Sequence, residues 1–148
     1  MSEQTQVAKT IEKFKSLYDT LNRNTLTASM LSEVYADDVV FEDSLHRIDG
    51  LPAMFEYFEK MYENVESIAF EWQDLALNEN GGFIRWIMYF RHPRLNKGRT
   101  IEVAGVSYLG TRKGKVIEHR DFFDAGEMLY ERVPALGAVI RTLKKRVA

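Results

Sequence analysis

The sequence predicts an α+β domain in which one bent antiparallel sheet wraps around helices. Segments with the apolar periodicity of helices come first, and a run of long, strand-like segments follows before a last helix. These strand-like segments are nearly twice the usual length of about five or six residues, and long twisted strands bend rather than stay flat. The predicted order is helix, helix, strand, helix, four strands and helix.

Composition sets the limits of the prediction. A chain of 148 residues with 45% hydrophobic residues is large enough for one domain with its own core, so we expect a single domain over residues 1–148. This composition excludes disorder, collagen and coiled coil. The absence of cysteine excludes disulfides, thiol nucleophiles and iron–sulfur ligation. No targeting segment is visible at the start of the sequence, which favours a cytoplasmic location.

Four helices are predicted from apolar spacing. The first runs to about Asn24 and carries apolar residues three and four positions apart. The second is capped by Thr27 and ends at Asp37-Asp38. The third follows Gly50-Leu51-Pro52, where proline suits the first helical position, and the last begins at Pro134. The apolar positions are Val7, Ile11, Phe14, Tyr18 and Leu21 in the first helix and Leu136, Val139, Ile140 and Leu143 in the last.

Five strands are predicted, the first at Val39–Asp43 and the others at about 65–79, 82–91, 99–111 and 115–124. Glycine- and proline-containing turns separate them. In the second of these strands the alternation of apolar residues slips at Asp74-Leu75, which predicts a β-bulge. A two-residue loop at Lys113-Gly114 then predicts the neighbours in the last hairpin.

That hairpin pairing predicts which residues share a face. If the hairpin contains no bulge, Tyr108 lies opposite His119 and Val106 lies opposite Asp121, all on one face. Gly105, Ser107 and Phe122 then take the other face, together with Glu118 and Arg120, where a two-fold dimer would bury them. Side chains two apart on a strand lie about 6–7 Å apart, so His119 and Asp121 can share a direct or water-bridged hydrogen bond.

Several strings resemble the nuclear transport factor 2-like superfamily, which includes ketosteroid isomerase, limonene epoxide hydrolase and the SnoaL-like polyketide cyclases. They are Tyr35-Ala36-Asp37-Asp38 leading into Phe41-Glu42-Asp43, Gly50 at the third helix, and Gly114-Lys115-Val116-Ile117 leading into His119-Arg120-Asp121-Phe122-Phe123-Asp124. The resemblance covers nearly the whole chain. It implies a cone-shaped, cystatin-like α+β barrel around an apolar pocket, and a homodimer through the outer face of the sheet.

The resemblance also places functional residues. Asp43 falls where ketosteroid isomerase carries its proton-shuttling aspartate, and Asp121 falls where limonene epoxide hydrolase carries an aspartate of its catalytic set. Val106 stands where the isomerase has its protonated acid. Trp86 and Met88 stand near the hydrolase's arginine and second aspartate. Because these residues can neither donate the required hydrogen bond nor hold a water, we expect the protein to be neither of these two enzymes.

The leading functional hypothesis is general acid–base proton transfer on a small apolar molecule, without metal or organic cofactor. Asp43 is the expected base, Asp121 the acid or water-orienting group, and His119 their partner. Residues expected to line the pocket are Tyr18, Phe41, Phe58, Trp86, Met88, Val106, Tyr108 and Phe123. The alternative is a ligand-binding or dimerisation module of the same fold without chemistry.

Structural roles are equally open to these residues. Asp43 would then cap the loop Ser44–Gly50 or face solvent, and His119 with Asp121 would be a polar pair of the barrel lining. A metal site of His119, Asp43 and Asp121 is disfavoured because the three histidines are scattered in the sequence.

Charge argues against two classes of partner. A net charge of −2 gives no overall field toward nucleic acid or an anionic membrane. The basic cluster at Arg141–Arg146 is open to interpretation as a surface patch for either partner. We favour cations that complement the negative end of the helix dipole. Neither nucleic acid nor a membrane is therefore an expected partner.

Overall fold

The computed structural model describes residues 2–148, which form five α-helices and one sheet of six strands. The helices are α1 (Glu3–Thr20), α2 (Ala28–Val34), α3 (Leu51–Asn64), α4 (Ala125–Met128) and α5 (Pro134–Val147). The strands are β1 (Tyr35–Glu42), β2 (Arg47–Asp49), β3 (Ser67–Asn78), β4 (Gly81–Arg91), β5 (Ile101–Arg112) and β6 (Lys115–Phe123). Short 3₁₀ turns lie at Asn96–Gly98 and Tyr130–Arg132.

The sheet is open, with the strand order β2-β1-β6-β5-β4-β3. All neighbouring strands are antiparallel except β1 and β6, which are parallel. The α+β fold class is therefore confirmed. The sequence pattern did not predict β2, α4 or the two 3₁₀ turns, and β1 begins four positions before the predicted Val39.

Local capping explains where the first two helices begin. Ser2 Oγ accepts a hydrogen bond from the Thr5 amide at the start of α1. Thr27 Oγ1 accepts from the Met30 amide at the start of α2, as the sequence predicts. None of the helices within residues 2–148 is both long and apolar enough to cross a membrane.

The core lies between the inner face of the sheet and helices α1, α2 and α3. The apolar stripe of α1 is almost completely buried, with Ile11 and Phe14 at 0% and 2% exposure. Leu31 of α2 and Met54 and Phe58 of α3 complete the interior against β1 and β4. The expected slip in β3 is confirmed, because the β3–β4 register shifts between Trp72 and Leu75.

The predicted bulge-free pairing of the last hairpin is wrong beyond the residues next to its turn. Arg112 pairs with Lys115 and Thr111 with Val116, but Gly110 then pairs with Glu118, which leaves Ile117 as an extra residue in β6. Such a bulge turns every later side chain of the strand to the opposite face relative to its partner strand. His119 consequently pairs with Leu109.

Candidate functional site

A chain of buried hydrogen bonds crosses the inner face of the sheet. His119 of β6 is 2% exposed, and its Nε2 lies 2.7 Å from Oδ1 of Asp121. Its Nδ1 lies 2.8 Å from the hydroxyl of Tyr35 in β1. The Tyr35 hydroxyl is in turn 2.7 Å from the hydroxyl of Tyr18 in α1. The order of this branch is Tyr18, Tyr35, His119 and Asp121.

A second branch reaches the same carboxylate from the other side. The Ser107 hydroxyl of β5 donates to Asp121 Oδ1 at 2.5 Å. The indole N–H of Trp86 in β4 donates to Ser107 Oγ at 2.9 Å. Trp86 reaches Ser107 because its ring lies across Gly105, where a Cβ atom would overlap the indole.

The donor directions of both branches follow from the chemistry of their ends. Indole N–H can only donate, so Ser107 accepts from Trp86 and its own proton goes to Asp121. For an ionised carboxylate and a neutral imidazole, Asp121 only accepts, His119 donates from Nε2, and Nδ1 accepts from Tyr35. Tyr35 then accepts from Tyr18. Both branches therefore point their protons toward Oδ1 of Asp121, and each donor stabilises negative charge on that atom.

The second oxygen of Asp121 is left free. Oδ2 makes no hydrogen bond within residues 2–148. It is also absent from the fully buried polar atoms that lack a partner, among which only the Tyr62 hydroxyl occurs in the described chain. The Asp121 side chain is 20% exposed. Solvent therefore reaches Oδ2, while Oδ1 is held by two donors.

The tyrosines around this network remain neutral. Burial raises the pKa of Tyr18 and of Tyr35 well above the ordinary value, and nearby charge on Asp121 acts in the same direction. Burial also raises the pKa of Tyr62. The pKa of Tyr57 is raised by burial and by the negative charges of Asp43 and Asp121. These hydroxyl groups are therefore proton donors at neutral pH and above.

Aromatic side chains fill the interior around the network. The Phe41 ring packs edge-on against His119 with centroids 4.9 Å apart, and the Tyr35 ring stacks on His119 at 5.9 Å. Tyr35, Phe14 and Phe58 are among the largest fully buried side chains. Aromatic side chains therefore occupy much of the interior in which the hollow is expected. Apolar residues toward its outer end are only partly buried, namely Tyr57, Met61, Ile68, Phe70, Met88 and Phe123.

Two surface grooves are lined by neither His119 nor Asp121. One of about 940 Å³ is lined by α1, α2, Leu75 and Lys115. Another of about 680 Å³ is lined by the β1–β2 loop and the start of α3, and it includes His46 and Tyr57. Tyr57 thus connects the second groove to the neighbourhood of Asp121.

Asp43 follows β1 and caps the loop after it. Its Oδ1 accepts hydrogen bonds from the amides of Leu45 and His46 at 2.8 and 2.7 Å. The Asp43 amide itself donates to the His46 carbonyl. Asp43 makes no hydrogen bond to His119 or Asp121 in the described chain, so the loop-capping explanation fits its contacts.

The structure brings together only part of the predicted site. His119, Asp121, Tyr18 and Trp86 belong to one network, and Phe41 packs against it. Phe58 is buried beside Tyr18, with ring centroids 6.2 Å apart. Met88 and Phe123 lie on the inner face and are half-buried.

Val106 and Tyr108 are corrections. They pair with Phe122 and Arg120, on the face opposite His119, because of the bulge at Ile117. By the same shift Ser107, expected outside, is 2% exposed inside. Sequence reasoning also missed Tyr35 and Tyr57 as residues of the site. The signal for the shift is the spacing of the buried residues Val116 and His119, three positions apart instead of two.

No group of three or more His, Asp or Glu side chains with metal-binding geometry occurs in residues 2–148. His119 has both ring nitrogens engaged by Asp121 and Tyr35. The arrangement thus suits proton transfer at a carboxylate better than metal ligation.

The open sheet covered by helices is the fold of nuclear transport factor 2-like proteins. The chain belongs to the SnoaL-like domain family, which matches residues 14–119. No curated protein matches it significantly in sequence.

Solved structures share this fold. A protein of Jannaschia sp. CCS1 described as a SnoaL-like polyketide cyclase is 15% identical, with a TM-score of 0.68 over 79% of this chain and 86% of that one. An M. tuberculosis LEH-like epoxide hydrolase is 16% identical, with a TM-score of 0.70 over 95% and 98%. A Catenulispora acidiphila protein with a ketosteroid isomerase-like fold, crystallised with trimethylamine, is 12% identical, with a TM-score of 0.68 over 81% and 88%.

The contact between Trp86 and Gly105 gives a first prediction. Gly105→Ala places a methyl group where the indole lies, so the ring must move and release Ser107. We expect a loss of about 1–3 kcal/mol in the free energy of unfolding, typical of overpacking, and a changed tryptophan emission spectrum. The control is Gly110→Ala, whose Cβ meets Glu118 Cβ at 3.3 Å. Equal stability and emission of wild type and Gly105→Ala would contradict this geometry.

Two tyrosine variants separate a satisfied hydroxyl from an unsatisfied one. Tyr35→Phe leaves the Tyr18 hydroxyl and Nδ1 of His119 without their partner, so we expect a loss of about 1–3 kcal/mol in the free energy of unfolding at pH 7. Tyr62→Phe removes a buried hydroxyl that has no partner, so stability should stay equal or rise. Urea unfolding measures both, and a larger loss for Tyr62→Phe would contradict the assignment.

The same variants predict the alkaline limb of stability. Tyrosine pKa values are raised in the folded state, so above about pH 10 the unfolded chain loses protons that the folded chain keeps. The stabilisation from these tyrosines is therefore fully present below that pH. Above it, the free energy of unfolding falls by about 1.4 kcal/mol per pH unit for each such tyrosine. Tyr62→Phe should make the measured slope shallower by about that amount.

Proposed function

We propose that this protein is a cofactor-independent enzyme that removes a proton from a small, largely apolar substrate, with Asp121 as the general base. The proposal depends on one observation, which is that the two oxygens of Asp121 differ in hydrogen bonding and in exposure to solvent. Oδ1 accepts from Ser107 and His119, while Oδ2 is free and reached by solvent. A positioned carboxylate with one open oxygen is what proton abstraction requires.

The apolar surroundings define the class of substrate. Phe70, Met88 and Phe123 are only partly buried on the inner face, so a small apolar molecule can cover them and exclude water from Asp121. Exclusion of water strengthens the electrostatic interactions at the carboxylate. Neighbours described as a polyketide cyclase and an epoxide hydrolase support acid–base chemistry in this fold.

A base also needs a group that stabilises the negative charge formed on the substrate. Tyr57 fits this role, because its half-buried hydroxyl stays neutral and lies where the charges of both Asp43 and Asp121 act on it. The hydroxyl is 3.1 Å from His46 Nδ1. Asp43 then holds the loop that carries His46, which replaces the role of base that the sequence suggested for it.

In the proposed step a proton leaves a carbon next to a carbonyl group and moves to Asp121 Oδ2. The electron pair of the broken C–H bond moves into the enolate, whose oxygen accepts a hydrogen bond from Tyr57. Return of the proton to a different carbon completes an isomerisation. His119 and Ser107 keep Oδ1 in place throughout.

Exchange of α-protons tests the chemistry without knowledge of the natural substrate. Wild-type protein should accelerate deuterium incorporation into small hydrophobic ketones in D2O, followed by proton NMR. Asp121→Asn should lower this rate by about 10²–10⁴-fold, the usual contribution of a general base. Tyr57→Phe should lower it by about 10²–10³-fold, as loss of an oxyanion donor does.

The matched control is Glu118→Gln, an exposed carboxylate of the same strand on its outer face, which should leave the exchange rate unchanged. Full exchange activity in a folded Asp121→Asn variant would rule out Asp121 as the base.

A non-catalytic binding module is the second candidate, and the packed interior favours it. Tyr35, Phe14 and Phe58 leave the deep end of the cone filled, so a ligand meets only the outer end. This function predicts saturable ketone binding with equal Kd in wild type and Asp121→Asn, and no α-proton exchange in either.

We also propose a homodimer through the outer face of the sheet. Phe83 and Phe122 are 46% and 47% exposed there, and Tyr108 packs against Phe83 with centroids 5.0 Å apart. Arg120 lies over the Phe122 ring at 5.0 Å. A contiguous exposed aromatic patch of this kind is typical of an interaction surface, and a two-fold axis makes one such patch self-complementary.

Sedimentation equilibrium tests the dimer. Phe83→Asp puts a charge in the proposed interface and should shift the protein to a monomer. Leu75→Asp changes an equally apolar, 40% exposed side chain that pairs with the inward-facing Ile84, and it should leave the mass unchanged. A monomeric wild-type protein would refute the proposed interface.

A further inference from the structure

Helix α5 is attached to the rest of the protein by its polar side. The Arg141 guanidinium donates to the Glu131 carbonyl at 3.1 Å, and Lys144 forms ion pairs with Glu131 and Asp124. Gly137 is buried against the same 3₁₀ turn, where a Cβ atom would overlap the Glu131 carbonyl oxygen. This side of α5 therefore faces the protein.

Most of the apolar side of α5 faces solvent, while Ile140 is half-buried. Leu136, Val139, Leu143 and Val147 follow one another at helical spacing, and they are between 42% and 86% exposed. An amphipathic helix of a globular domain normally buries this side. In α5 the arrangement is reversed, and the outward stripe has no cover within residues 2–148.

One cation borders the stripe. Arg146 lies beside Val139 and Leu143 along one edge of it. The segment from Pro134 to Ala148 holds four of the chain's 20 basic residues and none of its 22 acidic ones. The remainder of the chain therefore carries a formal charge of −6. Positive charge is therefore concentrated on a helix whose apolar side is largely uncovered within residues 2–148.

We propose that α5 is an interfacial helix that docks the protein on an anionic phospholipid bilayer. Its apolar stripe, defined by Leu136, Val139, Leu143 and Val147, enters the boundary between headgroups and acyl chains. Arg146 contacts anionic headgroups at the edge of the stripe, with its methylene chain along the stripe. Lys145, on the polar side, adds a second cation that is unpaired in the described chain. A basic amphipathic helix that is too polar to span a bilayer has the composition for this position. The proposal stands independently of the proposed chemistry at Asp121.

Charge decides between this occupant and a second copy of the chain. Two α5 helices packed through their stripes would offer no acidic residue from 134 to 148 to the unpaired Lys145 and Arg146 of either copy. Complementing the negative helix end accounts for the cations but leaves the outward apolar stripe unexplained. An anionic bilayer satisfies both the charges and the apolar stripe.

Vesicle flotation tests the proposal with the full chain at about 0.15 M salt. We expect the protein to float with vesicles of equimolar phosphatidylcholine and phosphatidylglycerol, and to stay unbound with phosphatidylcholine alone. Lys145→Gln with Arg146→Gln should weaken binding about 30-fold, since each cation near an anionic surface contributes roughly fivefold. Leu136→Gln with Leu143→Gln should weaken it by about 100-fold.

The matched control is Lys9→Gln with Lys13→Gln, two exposed cations of α1, which removes the same charge elsewhere and should leave binding unchanged. Circular dichroism confirms that each variant remains folded. Absence of vesicle binding by the wild type, or equal binding to both kinds of vesicle, would overturn the proposal. So would a dimer that Leu136→Gln with Leu143→Gln dissociates, because a second copy would then cover the stripe.

Discussion

One extra residue in β6 determines the chemistry of the inner face. Ile117 has no counterpart in β5, so Val116 and His119 both point inward although they lie three positions apart. Without this bulge, His119 and Asp121 would lie on the same face as Val106 and Tyr108, and Ser107 would lie on the other face. The bulge instead puts His119, Asp121 and Ser107 on one face. Neighbouring strands on both sides hold this register, with parallel pairing to β1 and antiparallel pairing to β5.

Burial of so many polar groups is tolerated because they satisfy one another. One branch runs from Tyr18 of α1 through Tyr35 of β1 to His119 of β6. The other runs from Trp86 of β4, which donates to Ser107 of β5. All donations end on one oxygen of Asp121, so the network is complete only while that carboxylate can accept. A buried polar network with every member paired rigidifies a core, whereas one missing partner leaves a costly unpaired group. The network therefore holds Asp121 in a fixed position whether or not a substrate is present.

Periodic patterns allowed prediction of the elements but not of their long-range pairing. The β3 bulge was visible because apolar and polar residues alternate up to Trp72 and then change parity at Leu75. The β6 bulge was hidden, because Val116 and Ile117 are adjacent apolar residues and either can face inward. Asp43 was assigned to the pocket by resemblance. Its actual donors are backbone amides of Leu45 and His46, which no side-chain pattern reveals.

In helix α5, too, the sequence pattern predicts the element but not its contacts. Its apolar spacing predicted the helix correctly, and the usual rule assigns the apolar side to the core. The structure reverses this assignment because the segment before the helix, Tyr130–Arg132, offers a backbone carbonyl and Glu131 as partners for Arg141 and Lys144. An amphipathic pattern shows that a helix has two different sides. The polar partners available nearby determine which side contacts the protein. In α5 the polar partners lie on the protein, so the apolar side is left for an external surface.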